Sequence, residues 1–360
     1  MIFRKSLLRE LVAVAAATFL VLLGISLTTQ IVRLLGQAAS GNITSESVAA
    51  LLGFSVVNYL PVLLSLTLFI AVLLTLSRSY RDSEMVVWFS SGVSLTEWVR
   101  PVLSFAAPLV LMIAVLSLTL TPWAVSMSEE LRRRLEGRDD VAAISPGVFR
   151  ESRQSDRVYF VEEVAGKQDV VANVFVSSSQ LEKQGVMVAA RGFQETAENG
   201  DRFLVLMNGR RYEGEPGTAE YKIYQFERYS MRIESKEAKA ARAPTTKSVS
   251  TLALIAAPEP ANLAELSWRV GLPASALVLA VLAIPLSFVN PRAGRSMNLV
   301  LALLVYMVYS NLLSISQAWI AQSRISLATG LWGVHALMLV LLLVMFYRRL
   351  MVFSLFRFMR

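Results

Sequence analysis

Six stretches of this 360-residue chain hold no Asp, Glu, Lys or Arg, and each is long enough to cross a bilayer. They lie between Glu10 and Arg33, Glu46 and Arg78, Arg100 and Glu129, Arg269 and Arg292, Arg295 and Arg324, and Arg324 and Arg348, and each runs for at least 22 residues. A helix rises 1.5 Å per residue, so about 20 residues span a hydrocarbon core of about 30 Å. One such stretch fits the buried helix of a soluble protein; six, in a chain with 54% hydrophobic residues, do not. The pattern predicts an α-helical integral membrane protein with three spans, a polar insert of about 140 residues, and three further spans. Pro61, Pro101, Pro108, Pro122, Pro273 and Pro285 fall in or beside these spans, where neighbouring helices satisfy the backbone groups that proline frees.

The first stretch follows Arg4, Lys5 and Arg9, as a signal peptide would, but its apolar run passes 20 residues. A signal h-region has 7–15, so the segment is expected to stay as a transmembrane helix. Orientation follows from the basic residues. With the N-terminus inside, one face collects Arg4, Lys5, Arg9, Arg78, Arg81, Arg100, Arg292, Arg295, Arg348, Arg349, Arg357 and Arg360. Short loops and helix ends on the other hold only Arg33, Arg269 and Arg324. Basic residues are retained on the cytoplasmic side, which places both termini in the cytoplasm and the polar insert outside, in the periplasm of a double-membraned cell. Acidic and basic residues nearly cancel between Ser126 and Asn262, so the net charge of +8 belongs to the membrane part. It reports topology and contact with anionic lipid, not a nucleic-acid surface, which needs a basic patch on a folded domain.

The insert reads as all-β. Arg157–Val164, Val170–Ser177, Val186–Phe193, Arg202–Met207 and Tyr221–Ile233 are short β-branched or alternating runs. Turn signals at Ala165-Gly166, Asn199-Gly200, Asn208-Gly209 and Glu215-Pro216-Gly217 separate them. A sandwich or jelly roll suits that spacing. Val174, Val176, Phe203 and Val205 alternate along strand faces and fit a core better than a ligand groove. Ser235–Ala261 reads as a linker back to the membrane. The domains expected are 1–125, with a cytoplasmic loop at 78–100; 126–262, the β-insert and linker; and 263–360.

Enzyme chemistry finds little purchase. There is no cysteine, and the single histidine, His335, sits within the last span. Zinc sites and nucleophile triads need several converging groups, so His335 is read as a packing residue, with no catalytic or metal-binding residue and no cofactor bound by this chain. The span interiors read as free of Asp, Glu, Lys and Arg, which argues against an ion-coupled carrier. No phosphate-binding loop of the G-x-x-x-x-G-K-[ST] type is present. Energy for transport must then come from another subunit.

The loop between spans two and three offers a place for such a subunit to push. Asp82 or Ser83 is placed to cap a short helix, Glu84 favours its positive end, and Gly92 ends it. Val86, Val87, Trp88 and Phe89 give it an apolar face. From the residues alone, that face suits either the groove of an ATPase or the surface of the bilayer. Ser94-Leu95-Thr96-Glu97 reads as a capping box opening the next helix.

The three-plus-three layout, the loop Tyr80-Arg81-Asp82-Ser83-Glu84-Met85, and the insert segments Pro146-Gly147-Val148-Phe149 and Gly209-Arg210-Arg211-Tyr212-Glu213-Gly214 resemble the lipopolysaccharide-export permeases, the LptF/LptG family, and its F-type branch in particular. The resemblance covers nearly the whole chain, and its specificity lies in the order of short motifs. It implies a jelly-roll-like periplasmic domain and a permease subunit of an ABC transporter in the bacterial inner membrane. It further implies a sister permease LptG, an ATPase dimer LptB that binds the ATP, a single-span LptC, and the periplasmic bridge LptA. Lipopolysaccharide would be the cargo. Residue by residue, it implies an ATPase-coupling helix with Arg81, Glu84, Val87, Trp88 and Phe89, and a basic residue at Arg33 for a lipid phosphate. A guanidinium grips phosphate bidentately; an Arg that merely anchors a helix end is the plainer reading. Arg324 is a second candidate, more in keeping with an anchor. Leu27, Ile31, Phe54, Val57 and Leu60 are candidates for the acyl-chain wall. Permeases for other lipids or lipoproteins, and a non-transporting membrane sensor or scaffold, are the alternative readings.

Overall fold

The computed structural model describes residues 2–39, 43–139, 149–151, 157–165, 170–180, 183–197, 202–214, 221–234, 244–288 and 297–350. It resolves into two compact units, one of residues 1–132 with 244–360, the other of residues 133–243. The first unit is helical. It contains α1 (Ile2–Ala39), α2 (Ser47–Arg81), the short α3 (Glu84–Ser90), a 3₁₀ turn (Leu95–Trp98), α4 (Val99–Val115) and α5 (Thr121–Asp139), then α6 (Thr251–Ala256), α7 (Pro260–Leu286), α8 (Met297–Ala321) and α9 (Leu327–Leu350). A π turn at Leu116–Leu120 joins α4 to α5. Six segments are long and apolar enough to cross a membrane: Lys5–Ala39, Ser47–Arg81, Leu95–Leu135, Pro260–Leu286, Leu303–Ala321 and Leu327–Leu350.

The fourth of these, α7, is the axis of the bundle. Its small and branched residues (Ala276, Ala280, Leu282, Ala283 and Ile284) are buried, which lets α2, α4, α8 and α9 pack around it. Between helices in a membrane, small side chains permit the close approach that dispersion contacts require. Phe69 and Leu76 of α2 and Val102 of α4 complete the shared core. By contrast, α1 buries Leu7, Leu11 and Leu34, packs Ala15 and Phe19 partly on the core, and leaves Leu20, Val21 and Ile25 exposed. Lipid solvates such a face, so exposure here carries none of the cost it has in water.

α7 starts ten residues ahead of its charge-free run, so Glu265 and Arg269 are helical and buried, not residues of the span's outer rim. The chain before α7 is likewise not a bare linker: it turns at 245–248, forms α6, and packs Leu254 fully out of reach of solvent.

The second unit is all-β. Strands β1 (Arg150–Glu151), β2 (Arg157–Ala165), β3 (Val170–Gln180), β4 (Lys183–Thr196), β5 (Arg202–Gly214) and β6 (Tyr221–Glu234) pair in sequence order in one antiparallel sheet. Among the described strands no Greek-key crossover interrupts the meander, so their roll comes from bending of the sheet itself. A crease supplies the bend. Asn173 and Asn208 take left-handed backbone angles, φ 51° and 52°, and both are exposed, as is Ala190 on the strand between them. On either side run inward-facing rows, Val171–Gly192–Leu206 and Val174–Ala189–Gly209. Side chains from the two halves converge there, and a Cβ on Gly209 would stand 2.4 Å from the Phe226 ring and 2.5 Å from the Val188 carbonyl oxygen. Val171, Leu204, Leu206 and Met231 on one side share a buried cluster with Val174, Val176, Met187 and Ala189 on the other. Val174 and Val176 are thus core residues, while Val205 is buried outside that cluster, between Leu204 and Leu206 on β5.

This arrangement corrects one expectation. Asn208-Gly209 is not a hairpin turn but lies inside β5, where the same tolerance of positive φ serves the crease. The pairs at Asn199-Gly200 and Pro216-Gly217, and Pro146-Gly147-Val148, lie outside the described residues.

Candidate functional site

The end of the bundle that carries α3 is organised by one arginine. Arg78, near the end of α2, donates through Nε and Nη2 to both carboxylate oxygens of Glu10 on α1, the Nη2 bond being 2.7 Å. Its Nη1 lies 3.3 Å from Asp82, and Nη2 lies 3.3 Å from Glu84. One guanidinium thereby ties α1, α2 and α3 together, with Arg81 3.6 Å from Asp82. Planar Arg donors suit such forked pairing. Glu84, expected to face a partner, is here turned toward its own chain and only half buried.

The helix α3 begins after Ser83, whose φ of 60° turns the chain sharply. Neither Asp82 nor Ser83 caps it through a side chain; the Asp82 carboxylate is engaged by Arg78 and Arg81 instead. Met85 is buried and anchors α3 to the bundle, while Val86, Val87 and Phe89 are exposed and Trp88 is half-buried. Gly92, at φ 90°, ends the element as expected. Phe89 leans on Tyr80, Tyr80 on Phe288, and the Arg349 guanidinium sits 3.8 Å from the centre of the Phe288 ring. The capping box does not form. Ser94 bonds the Thr96 hydroxyl at 2.8 Å and leads into a 3₁₀ turn.

At the other end of the bundle, Arg33 and Arg324 are exposed, and neither side chain has a partner among the described residues. Ser323, at φ 57°, makes the turn that presents Arg324. Leu27, Phe54, Val57 and Leu60 are half-buried and Ile31 is exposed. Phe54 packs edge-on against Trp123 at 6.0 Å, and Leu60 packs on the main core. They fall on α1 and α2.

Reading the sequence missed the cluster around Arg269. This side chain is 2% exposed, pairs with Glu265 at 2.9 Å, and donates to the Thr251 hydroxyl at 2.8 Å. Its Nη2 reaches the carbonyls of Thr246, Lys247 and Val249. The available signal was Glu265 one helical turn before Arg269, the favourable order for an (i, i+4) pair. His335, read as a packing residue, is buried and hydrogen-bonded to Tyr309 across α8 and α9 at 2.5 Å. Among the described residues no group of three or more His, Asp or Glu gathers as a metal site would require.

A profile described as lipopolysaccharide export system permease LptF/LptG matches residues 5–348. The chain is 27% identical over 350 residues to the lipopolysaccharide export system permease protein LptF of Escherichia coli strain K12, covering 96% of this chain and 94% of that protein. It has the same identity and coverage against the protein of that name from Shigella flexneri.

Proposed function

Since this chain belongs to the lipopolysaccharide export system permease family LptF/LptG, we propose that it is the F-type permease of an ABC transporter of the bacterial inner membrane, working beside an LptG-type sister. The pair takes lipopolysaccharide from the membrane and passes it by way of the β-insert to LptC and the LptA bridge. An LptB-type ATPase dimer binds the ATP, and this chain performs no catalysis. Both termini lie in the cytoplasm and the insert in the periplasm.

The observation that carries the reading is α3, anchored by buried Met85 and offering Val86, Val87 and Phe89 outward beside Glu84. Such an apolar helix face is suited to a hydrophobic groove on a partner, with Glu84 held by Arg78 within this chain. Arg33 supports the cargo assignment, since an exposed guanidinium near the end of α1, with no partner among the described residues, is suited to take a lipid phosphate. Native mass spectrometry of the protein purified from its host membranes tests the proposal. Two ATPase copies, one sister permease and bound lipopolysaccharide are expected, with the lipid-bound fraction falling several-fold in Arg33→Glu. Recovery without an ATPase would overturn the transporter reading in favour of a sensor or scaffold.

A further inference from the structure

The Arg269 cluster binds together segments that are distant in sequence. The Thr251 hydroxyl, which accepts from Arg269, itself donates to the Leu118 carbonyl at 2.5 Å. Leu118 belongs to the π turn of the third span. One residue earlier in that turn, the Ser117 hydroxyl donates to the Arg269 carbonyl at 3.1 Å. Upstream, the Thr245 amide and hydroxyl both donate to the Glu129 carboxylate on α5. The chain returning from the β-insert is therefore fastened to the third span at two places and to the fourth at Arg269.

Stability alone is a poor account of this construction. Desolvating a charge pair is costly, and well-packed apolar residues of similar volume often do as well or better. Here one carboxylate balances the guanidinium, and its other contacts go to a hydroxyl and three main-chain carbonyls. Arg269 thus holds the path of the backbone at 246–249, whatever side chains that segment carries. The π turn adds an element with an alternative form. A π turn has one residue more per turn than an α-helix and occurs often at functional sites; a shift to α-helical bonding would carry the Leu118 carbonyl away from Thr251.

We propose that Arg269 is a positioning residue that makes the root of the β-insert move with the third and fourth spans. A rearrangement of those spans then reaches residues 245–251 undiminished, where a slack connection would absorb it. The inference rests on the permease reading above, and adds to it the residue through which the membrane spans drive the handover of lipid to the insert.

The test uses the reconstituted complex of this chain with its sister permease, ATPase and bridge protein. ATP hydrolysis and lipopolysaccharide delivered to the bridge are measured together. The double variant Glu265→Leu with Arg269→Met removes the fastening without stranding a charge. Thr251→Val combined with Ser117→Ala removes the side-chain links between Arg269 and the π turn. Expected are near-parental ATP hydrolysis and a fall of about five- to tenfold in lipid delivered per ATP, within the range found for residues that carry coupling. Trypsin cleavage after Lys247 should quicken in the Glu265→Leu, Arg269→Met variant. Parental delivery per ATP in Thr251→Val with Ser117→Ala overturns the proposal, even if the Glu265→Leu, Arg269→Met variant fails to assemble. A parent complex that delivers no lipid sinks the permease reading and the relay with it; variants that match an active parent sink the relay alone.

Discussion

Arg78 and Glu10 stand 68 positions apart in the chain, and nothing in either neighbourhood announces their pairing. Both sat in the sequence reading as members of a charge boundary, Glu10 closing one apolar run and Arg78 another. Their partnership follows from α1 and α2 packing antiparallel, so that two boundary residues meet at the same membrane level. Arg269 misled in the opposite way, because a charge that ends an apolar run looks like a residue of the span's outer rim. Its buried partner Glu265 lay only a turn away. The Arg78 network is partly exposed, so its stabilisation is modest. A double-mutant cycle of Glu10→Gln and Arg78→Gln, followed by unfolding of the whole protein in detergent, is expected to give a coupling of about 1 kcal/mol. Strict additivity would mean that the forked contact contributes nothing.

Elements were legible where periodicity or charge marked them and obscure where backbone geometry did. The spans and α3 could be placed from apolar runs, and Gly92 from its position after one. The crease could not, because Asn-Gly advertises positive φ without saying whether a turn or a bent strand will use it. Only the pairing of β4 against β5 decides, and Ala189, Gly192 and Gly209 become meaningful once that register is known. Gly209→Ala forces a methyl into the Phe226 ring and the Val188 carbonyl, and is expected to cost about 1–3 kcal/mol. Asn208→Gly keeps the required φ and should change stability by less than about 1 kcal/mol. Hydrogen exchange of β4–β6 in the intact protein measures both. Equal protection in the two variants would mean that the crease is not tightly packed.

The architecture of the molecule was the most legible level of all, since lipid permits few ways to cross it and the gaps between charges count the crossings. Sidedness rests on the distribution of arginines and invites a direct measurement. The chain has no cysteine, so single cysteines at exposed Ser90 in α3 and Ala190 in β4 report separately. A membrane-impermeant maleimide applied to intact spheroplasts should label Ala190→Cys and reach Ser90→Cys only after the membrane is broken. The reverse pattern would invert the topology. What the gaps between charges could not convey is how unevenly the helices share the interior, with α7 enclosed by its neighbours and α1 leaving most of its surface exposed.

The π turn bears on where this helix could tolerate a change of length. An α-helix advances each residue by about 100° around its axis, and the wider π turn takes up one extra residue within about the same rotation. Removing one residue from Leu116–Leu120 would therefore restore regular winding while leaving α5 close to its present phase, with Trp123 still facing Phe54 and Glu129 still facing Thr245. A deletion elsewhere in the third span would instead turn everything that follows it, so the π turn is the place where this helix best tolerates the loss of a residue.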